Sequence, residues 1–164
     1  MSLTAARDTS PVPYLRAGAA ALSVLLLTSV HHVYGAVIYD TPWRSHIAHI
    51  SAPVGAAIAL AYYIGWSRRG SRLGLAATWT GSLIALAFPV AALGIYEGGY
   101  NHVVKNIAYF GLGQEAARTL FSGAAYEMPN DFIFEATGVA QFPLAVLTAV
   151  LVVRLLRLPN RRTS

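Results

Sequence analysis

The stretch from Leu15 to Tyr39, LRAGAAALSVLLLTSVHHVYGAVIY, decides the fold of this chain. Arg16 is the only Asp, Glu, Lys or Arg residue in this stretch. A helix needs about 20 mostly apolar residues to cross the hydrocarbon core of a bilayer, so the stretch predicts a transmembrane helix. A cleaved signal peptide over Leu15–Val30 is the alternative. Tyr34 disfavours it, because cleavage requires a small residue at that position.

Three further apolar blocks follow the first one. We predict four spans, at about 15–39, 46–66, 73–96 and 132–156, in a single membrane domain of residues 1–164. The chain is 55% hydrophobic and only 12% charged, and average globular chains carry about twice that charged fraction. The predicted fold class is therefore all-α: an integral membrane bundle of four transmembrane helices. A long outer connection between the third and fourth spans is rich in aromatic residues: Tyr100, Tyr109, Phe110, Phe121 and Tyr126.

The basic residues predict the orientation of this bundle. Nearly all of them fall on one side of the four spans: Arg7, Arg16, Arg68, Arg69, Arg72, Arg154, Arg157, Arg161 and Arg162. By the positive-inside rule, both termini are expected in the cytoplasm, with the chain as a multi-pass protein of the cell (inner) membrane. The net charge of +5 then reflects topology and contact with lipid headgroups, so a nucleic-acid partner is excluded.

Histidines and acidic residues gather on the opposite, outer side of the predicted bundle. They are His31, His32, His46, His49, His102, Asp40, Glu97, Glu115, Glu127, Asp131 and Glu135. Ionisable residues below a membrane surface are costly and usually face the bundle interior or a wet cavity. The convergence therefore predicts a shared polar site near the outer, periplasmic face.

The residue types in this layer indicate a metal centre. The chain has no cysteine, which excludes thiolate zinc sites and iron–sulfur clusters. Imidazole with carboxylate suits iron, copper(II), zinc or manganese. Our preferred ligands are His31 or His32, His49, His102 and Glu135. Alternate or supporting ligands are His46, Glu97 and Asp131.

Several finer expectations complete the predicted site. Glu135 and Asp131 are candidate catalytic groups, and Tyr34 and Tyr100 are candidate hydrogen-bond donors near them. Glu97 is expected to end the third helix, and Asn130 is the candidate N-cap of the fourth.

The predicted function is that of a metal-dependent membrane enzyme, either an oxidoreductase or a metal-assisted hydrolase or isomerase. Its substrate would be small or lipophilic and would enter from the membrane or the periplasmic side. One alternative is a b-type haem protein for electron transfer, with two histidines on facing helices, such as His32 and His49, as axial ligands. Another is a non-catalytic accessory or transport subunit of a larger membrane complex, and a homo-oligomer is compatible with either.

Overall fold

Four long helices make up most of the described part of the chain. A computed structural model describes residues 10–123 and 127–158, and no strand occurs among them. The long helices are α1 (Val12–Ile38), α2 (His46–Ser67), α3 (Arg72–Leu112) and α5 (Phe132–Leu156). A 3-10 turn over Pro42–Ser45 leads into α2, and a short helix, α4 (Gln114–Leu120), follows α3.

The prediction of an all-α fold with four long apolar helices is confirmed for the described residues. Each long helix is long and apolar enough to cross a membrane, by length and composition. All four also leave large apolar side chains exposed, among them Leu26, Leu60, Leu83 and Leu147. Water would oppose such a surface, whereas the hydrocarbon of a bilayer would not.

The third helix is longer than the sequence predicts. Glu97 was expected to end it, and this expectation is wrong, because α3 continues to Leu112. Much of the predicted outer connection therefore belongs to α3, including Tyr100, Tyr109 and Phe110. Tyr126 lies outside the described residues.

The central part of α3 is also unusual in its hydrogen bonding. It is α-helical over Arg72–Ala85 and π-helical over Leu86–Val104. A short α-helical segment, Lys105–Ile107, separates this part from a second π-helical segment, Ala108–Leu112. π-helical segments are rare and occur frequently at functional sites.

The helices pack in a closed ring in which α1 contacts α2 and α5, α2 contacts α3, and α3 contacts α5. Small residues bring α3 and α5 close together: a Cβ placed on Gly94 would overlap the Cβ of Ala145. The half of the bundle near Arg16 and Arg154 has an apolar core. Its fully buried members include Ala17, Ala21, Val24, Leu25, Ile58, Ala85, Ala145, Val152 and Leu155.

The first turn of α5 lies in the opposite half of the bundle, which holds the buried histidines and Glu135 and is called the polar half. Asn130 was the expected N-cap, and this is wrong, because Asp131 occupies the cap position. Its side chain accepts a hydrogen bond at 2.8 Å from the backbone N–H of Phe134. The capping bond satisfies one of the free N–H groups at the start of α5 and places Glu135 in the first turn, facing inward.

Candidate metal centre

Three of the four long helices contribute the buried ionisable groups of the polar half. His31 and His32 come from the last turns of α1, Glu97 and His102 from the π-helical part of α3, and Glu135 from the first turn of α5. All three histidines and Glu135 are at least nine-tenths buried. The antiparallel order of neighbouring helices brings these residues, far apart in the chain, to one level of the bundle.

The π-helical geometry explains why Glu97 and His102 face the same way. In an α-helix with 3.6 residues per turn, residues five apart point about 140° away from each other. A π-helix bonds residue i to residue i+5, which stacks such residues on one face. The local winding of α3 therefore converts a five-residue spacing into a pair of neighbouring side chains.

Three imidazoles surround one oxygen of the Glu97 carboxylate. The Nε2 atoms of His32 and His102 lie 3.7 Å from Glu97 Oε1, and Nε2 of His31 lies 3.9 Å from it. These separations exceed hydrogen-bond length. Donors bound to one tetrahedral metal at about 2.0–2.1 Å lie roughly 3.4 Å apart, so modest inward shifts would close the shell.

Three of these residues form a group that could hold a metal ion. One donor atom from each of His31, Glu97 and His102 lies within 4.8 Å of the other two. The side chain of Glu97 is 19% exposed, so the group is reachable at one edge. The structure thus supports a possible metal site made of histidine and glutamate.

The hydrogen bond of His31 fixes which ring nitrogen is free. Its Nδ1 lies 3.0 Å from the hydroxyl oxygen of Thr137. That hydroxyl donates its own proton to backbone carbonyls one turn back along α5, so it accepts and His31 Nδ1 donates. In the neutral imidazole, Nε2 is then an unprotonated acceptor facing Glu97. Nε2 is buried and has no hydrogen-bond partner among the described residues.

His102 is held in the same way, but by a carboxylate. Its Nδ1 lies 2.9 Å from Glu135 Oε2, and an ionised carboxylate can only accept, so Nδ1 carries the proton. This leaves Nε2 of the neutral ring directed at Glu97. Histidines that bind metals usually donate their other N–H to such a partner, which orients the ring and raises its basicity.

Glu135 is itself fixed by two further side chains of α3. Lys105 Nζ lies 2.9 Å from Glu135 Oε1, and the Asn106 amide donates to Oε2. Lys105 is only 2% exposed, and it also donates to the backbone carbonyl of Glu127. With neutral imidazoles, the two carboxylates and one ammonium leave the cluster with one net negative charge, which favours a bound cation.

Aromatic packing completes the walls of the site. The ring of Phe134 stacks on His31 with centroids 4.2 Å apart and meets His102 edge-on at 5.3 Å. Gly138 makes room for His102, because a Cβ at this position would overlap the imidazole ring. The position of His102 therefore depends on the absence of a side chain on the facing turn of α5.

Polar contacts join the segment before α5 to the end of α1 and to the 3-10 turn. Arg44 is 4% exposed and donates to the carboxylate of Glu127 at 3.1 Å. Tyr39 donates to the side-chain carbonyl of Asn130 at 2.6 Å. Desolvation, with the negative charges of Glu135 and other nearby carboxylates, raises the pKa of Tyr39 to about 12. The phenol therefore keeps its proton and this bond even at alkaline pH.

The structure does not bring all the predicted ligands together. His46 and His49 are exposed, and their Nδ1 atoms contact backbone carbonyls of the preceding turn, those of Trp43 and Ser45. Their ligand roles stay predictions. His31, His32, His102 and Glu97 do converge, whereas Glu135 contacts His102 through the nitrogen that points away from Glu97.

The other predicted residues lie at the edges of the site. The hydroxyl of Tyr34 donates to Asp131 at 3.2 Å, next to the cap of α5. Tyr100 is 42% exposed, and its ring lies against Tyr96 and Phe121. Direct participation of these groups in chemistry stays a prediction.

Sequence reasoning missed the residues that orient the histidines. Thr137 and Asn106 have no distinguishing pattern. Lys105 does have one, because it is the only lysine in the chain and lies in the apolar run VVKNIAYF. A single charged residue in such a run is expected to be paired and functional. Glu135, an acidic residue in the same predicted layer, could therefore have been predicted as the partner of Lys105.

The site and fold together define a class of protein: a four-helix bundle of membrane-spanning length and composition that has a buried histidine–glutamate group. Comparison with known protein families, with curated proteins and with solved structures finds no match. The function is therefore inferred from the chemistry of the site.

Proposed function

We propose that this protein is an integral membrane metalloenzyme that binds one divalent transition-metal ion through His31, Glu97 and His102. One observation carries the proposal. Two imidazoles, each with its Nδ1–H already engaged, direct their Nε2 atoms at the same carboxylate oxygen. With both rings neutral, their Nε2 lone pairs and the negative oxygen repel one another at such distances, and a cation between them would turn the repulsion into attraction.

The ligand atoms of the proposed site limit which metal ions it would bind. Two imidazoles and one carboxylate with open positions are typical of non-haem iron(II) and also of catalytic zinc. His32 lies on the rim, with Nε2 3.7 Å from the same Glu97 oxygen, and is available as a fourth ligand. Three protein ligands plus an accessible edge at Glu97 suit catalysis better than a closed structural site.

The metal would supply either redox chemistry or Lewis-acid activation of bound water. The substrate would be small or lipophilic, because the group is reached through an apolar bundle and the edge of one carboxylate. The surrounding residues would hold the imidazoles and exclude water.

A metal ion fits the cluster better than haem does. The rings of His31 and His102 are only 4.7 Å apart, centroid to centroid, and nearly perpendicular. A carboxylate oxygen also lies between the imidazoles. Two axial ligands must leave the whole plane of a porphyrin between them, and this arrangement leaves space for a single ion.

The orientation in the membrane is part of the proposal. In the described residues, Arg16, Arg68, Arg69, Arg72 and Arg154 lie at one end of the bundle, opposite the cluster. Both termini would therefore be cytoplasmic and the metal would lie near the periplasmic face. Labelling from outside the cell with an impermeant thiol reagent should modify Glu115→Cys and not Arg69→Cys. The reverse pattern would contradict this orientation.

A metal titration tests the proposed centre directly. Purified protein in detergent, stripped with chelator and reloaded with iron(II) or zinc(II), should hold one ion per chain. Glu97→Gln keeps the shape but removes the charge that neutralises the metal, so we expect the affinity to fall at least about 100-fold. Glu115→Gln is the matched control, because Glu115 is exposed on α4.

Two results of this titration would contradict the proposal. One is a wild-type protein that takes up no ion, which would make the cluster a set of buried ion pairs and favour an accessory subunit. The other is full metal content in Glu97→Gln, which would place the ion elsewhere.

A further inference from the structure

Asn101 of α3 bonds to the carboxylate of the proposed metal centre, on the oxygen that the imidazoles do not surround. Its amide Nδ2 donates to Glu97 Oε2 at 3.0 Å. The three imidazole Nε2 atoms lie 3.7–3.9 Å from the other oxygen, Oε1. The two oxygens of Glu97 therefore have separate surroundings, an amide on one and the imidazoles around the other.

The contact with Glu97 sets the orientation of the Asn101 amide. An ionised carboxylate only accepts hydrogen bonds, so the nitrogen end of the amide must face Glu97. The carbonyl end, Oδ1, is buried and has no hydrogen-bond partner among the described residues. Rotation of the amide by half a turn would place Oδ1 against the carboxylate and lose the hydrogen bond, so the observed orientation is the favourable one.

The π-helical winding of α3 places the amide and an imidazole beside the same carboxylate. Glu97, Asn101 and His102 are spaced i, i+4 and i+5. Because a π-helix bonds residue i to residue i+5, both later positions lie about one turn beyond Glu97. One turn of α3 therefore supplies a proposed ligand, His102, and the amide that binds the far oxygen of another, Glu97.

A second asparagine of α3 has the same relation to Glu135. The Asn106 amide donates to Glu135 Oε2, the oxygen that also accepts from His102 Nδ1. Both carboxylates of the cluster thus accept a hydrogen bond from an asparagine of α3. This repetition supports a positioning role for these amides.

From these contacts we propose that Asn101 is a positioning residue, which keeps Glu97 bound to the metal through Oε1 alone. The proposal rests on the proposed metal centre and adds the binding mode of its carboxylate. Carboxylates bind metals through one oxygen or through both. Oε2 is a poorer second ligand when it accepts a hydrogen bond, because that bond engages a lone pair and restrains the carboxylate. Binding through one oxygen leaves a further coordination position for water or substrate.

Infrared spectroscopy of the zinc(II)-loaded protein measures this binding mode. The antisymmetric and symmetric stretching frequencies of a carboxylate are further apart when it binds through one oxygen than when it binds through both. A difference spectrum between zinc-loaded and zinc-free protein, with isotopically labelled glutamate, selects the glutamate bands that respond to the metal. The wild type should show the larger, monodentate separation. Asn101→Leu removes the donor at similar volume, so zinc content at saturation should be unchanged and the separation should fall to the bidentate range.

Gln114→Leu is the control, because it removes an exposed amide of α4 that donates to the Tyr109 hydroxyl. It should leave the separation unchanged. Asn101→Met provides a second variant if the first fails to fold.

A bidentate separation in the zinc-loaded wild type would overturn the proposal without any variant. An unchanged monodentate separation in a folded Asn101 variant, or loss of zinc from it, would also overturn the proposal. Failure of the wild type to bind zinc at all would instead reject the metal centre, and this proposal with it.

Discussion

Two pairs of histidines flank the turn between α1 and α2, and their surroundings are opposite. His31 and His32 are 1% and 8% exposed and face Glu97. His46 and His49 are exposed and contact the backbone of their own chain segment. Both pairs lie near the same end of the bundle, opposite Arg16 and Arg154, so depth along the bundle axis alone does not make a histidine part of the site.

The rotational phase of each helix makes the difference. The buried residues of α2 are Ser51, Gly55, Ile58, Tyr62 and Gly65, a stripe with steps of three and four residues. Continued towards the start of α2 in steps of three or four residues, this stripe includes positions 48, 47 and 44. It does not include positions 46 and 49. Arg44, at the end of the stripe, is buried. The buried pair on α1 lies where its helix faces α3 and α5.

The largest effect should come from the charge pair that supports the buried histidines. Lys105→Met leaves the Glu135 carboxylate buried without its counter-charge, and we expect a loss of about 3–5 kcal/mol in the free energy of unfolding. Replacing both residues, as in Lys105→Met with Glu135→Gln, should recover most of it, because the amide carries no charge and its oxygen still accepts from His102 Nδ1–H. Chemical unfolding in detergent micelles measures both changes.

Arg118→Met is the control for this experiment, because Arg118 is exposed on α4. It should change stability by less than about 0.5 kcal/mol. A similarly small effect of Lys105→Met would show that Glu135 does not depend on Lys105.

A smaller loss of stability is expected from substitutions at Gly138, which leaves space for the ring of His102. The Cβ of Gly138→Ala would overlap the His102 ring, so we expect a loss of about 1–3 kcal/mol in stability together with weakened metal binding. Gly94→Ala, which overlaps Ala145 in the apolar half, should lower stability without altering the metal affinity of the folded protein. Gly111→Ala has open space and should change neither property. Equal metal affinity in the folded Gly138→Ala and Gly94→Ala variants would contradict this account of His102.

The smallest effect concerns the orientation of one imidazole. Thr137→Val removes the acceptor of the His31 Nδ1–H, and we expect about tenfold weaker metal binding and a loss of about 1 kcal/mol in stability, because that buried N–H is left unpaired. Thr119→Val is the control, because the Thr119 hydroxyl is exposed and bonds only within α4. Isothermal titration calorimetry with the metal ion measures the affinity of both variants. Unchanged affinity in Thr137→Val would mean that Thr137 does not set the free nitrogen of His31.

The four long helices could be predicted from the sequence because apolar length is a local property. The convergence of histidines and acids on one half of the bundle could be predicted from the number and order of the spans. The partners within that layer could not be predicted, because they depend on rotation about each helix axis. The π-helical winding of α3 is the clearest case, since α-helical geometry would have separated Glu97 from His102. Glu97 ranked below Glu135 as a predicted ligand because Glu135 was expected to lie deeper in the bundle, whereas Glu97 was expected at the end of α3.

Metal stoichiometry in two double variants tests the central claim most directly. One variant, His31→Ala with His102→Ala, removes two buried imidazoles. The other, His46→Ala with His49→Ala, removes two exposed ones. After identical purification, chelation and reloading, elemental analysis should find close to one divalent ion per chain in the wild type and in the exposed-pair variant, and almost none in the buried-pair variant. Full metal content in the buried-pair variant, or its loss from the exposed-pair variant, would contradict the assignment of the site to the His31–Glu97–His102 group.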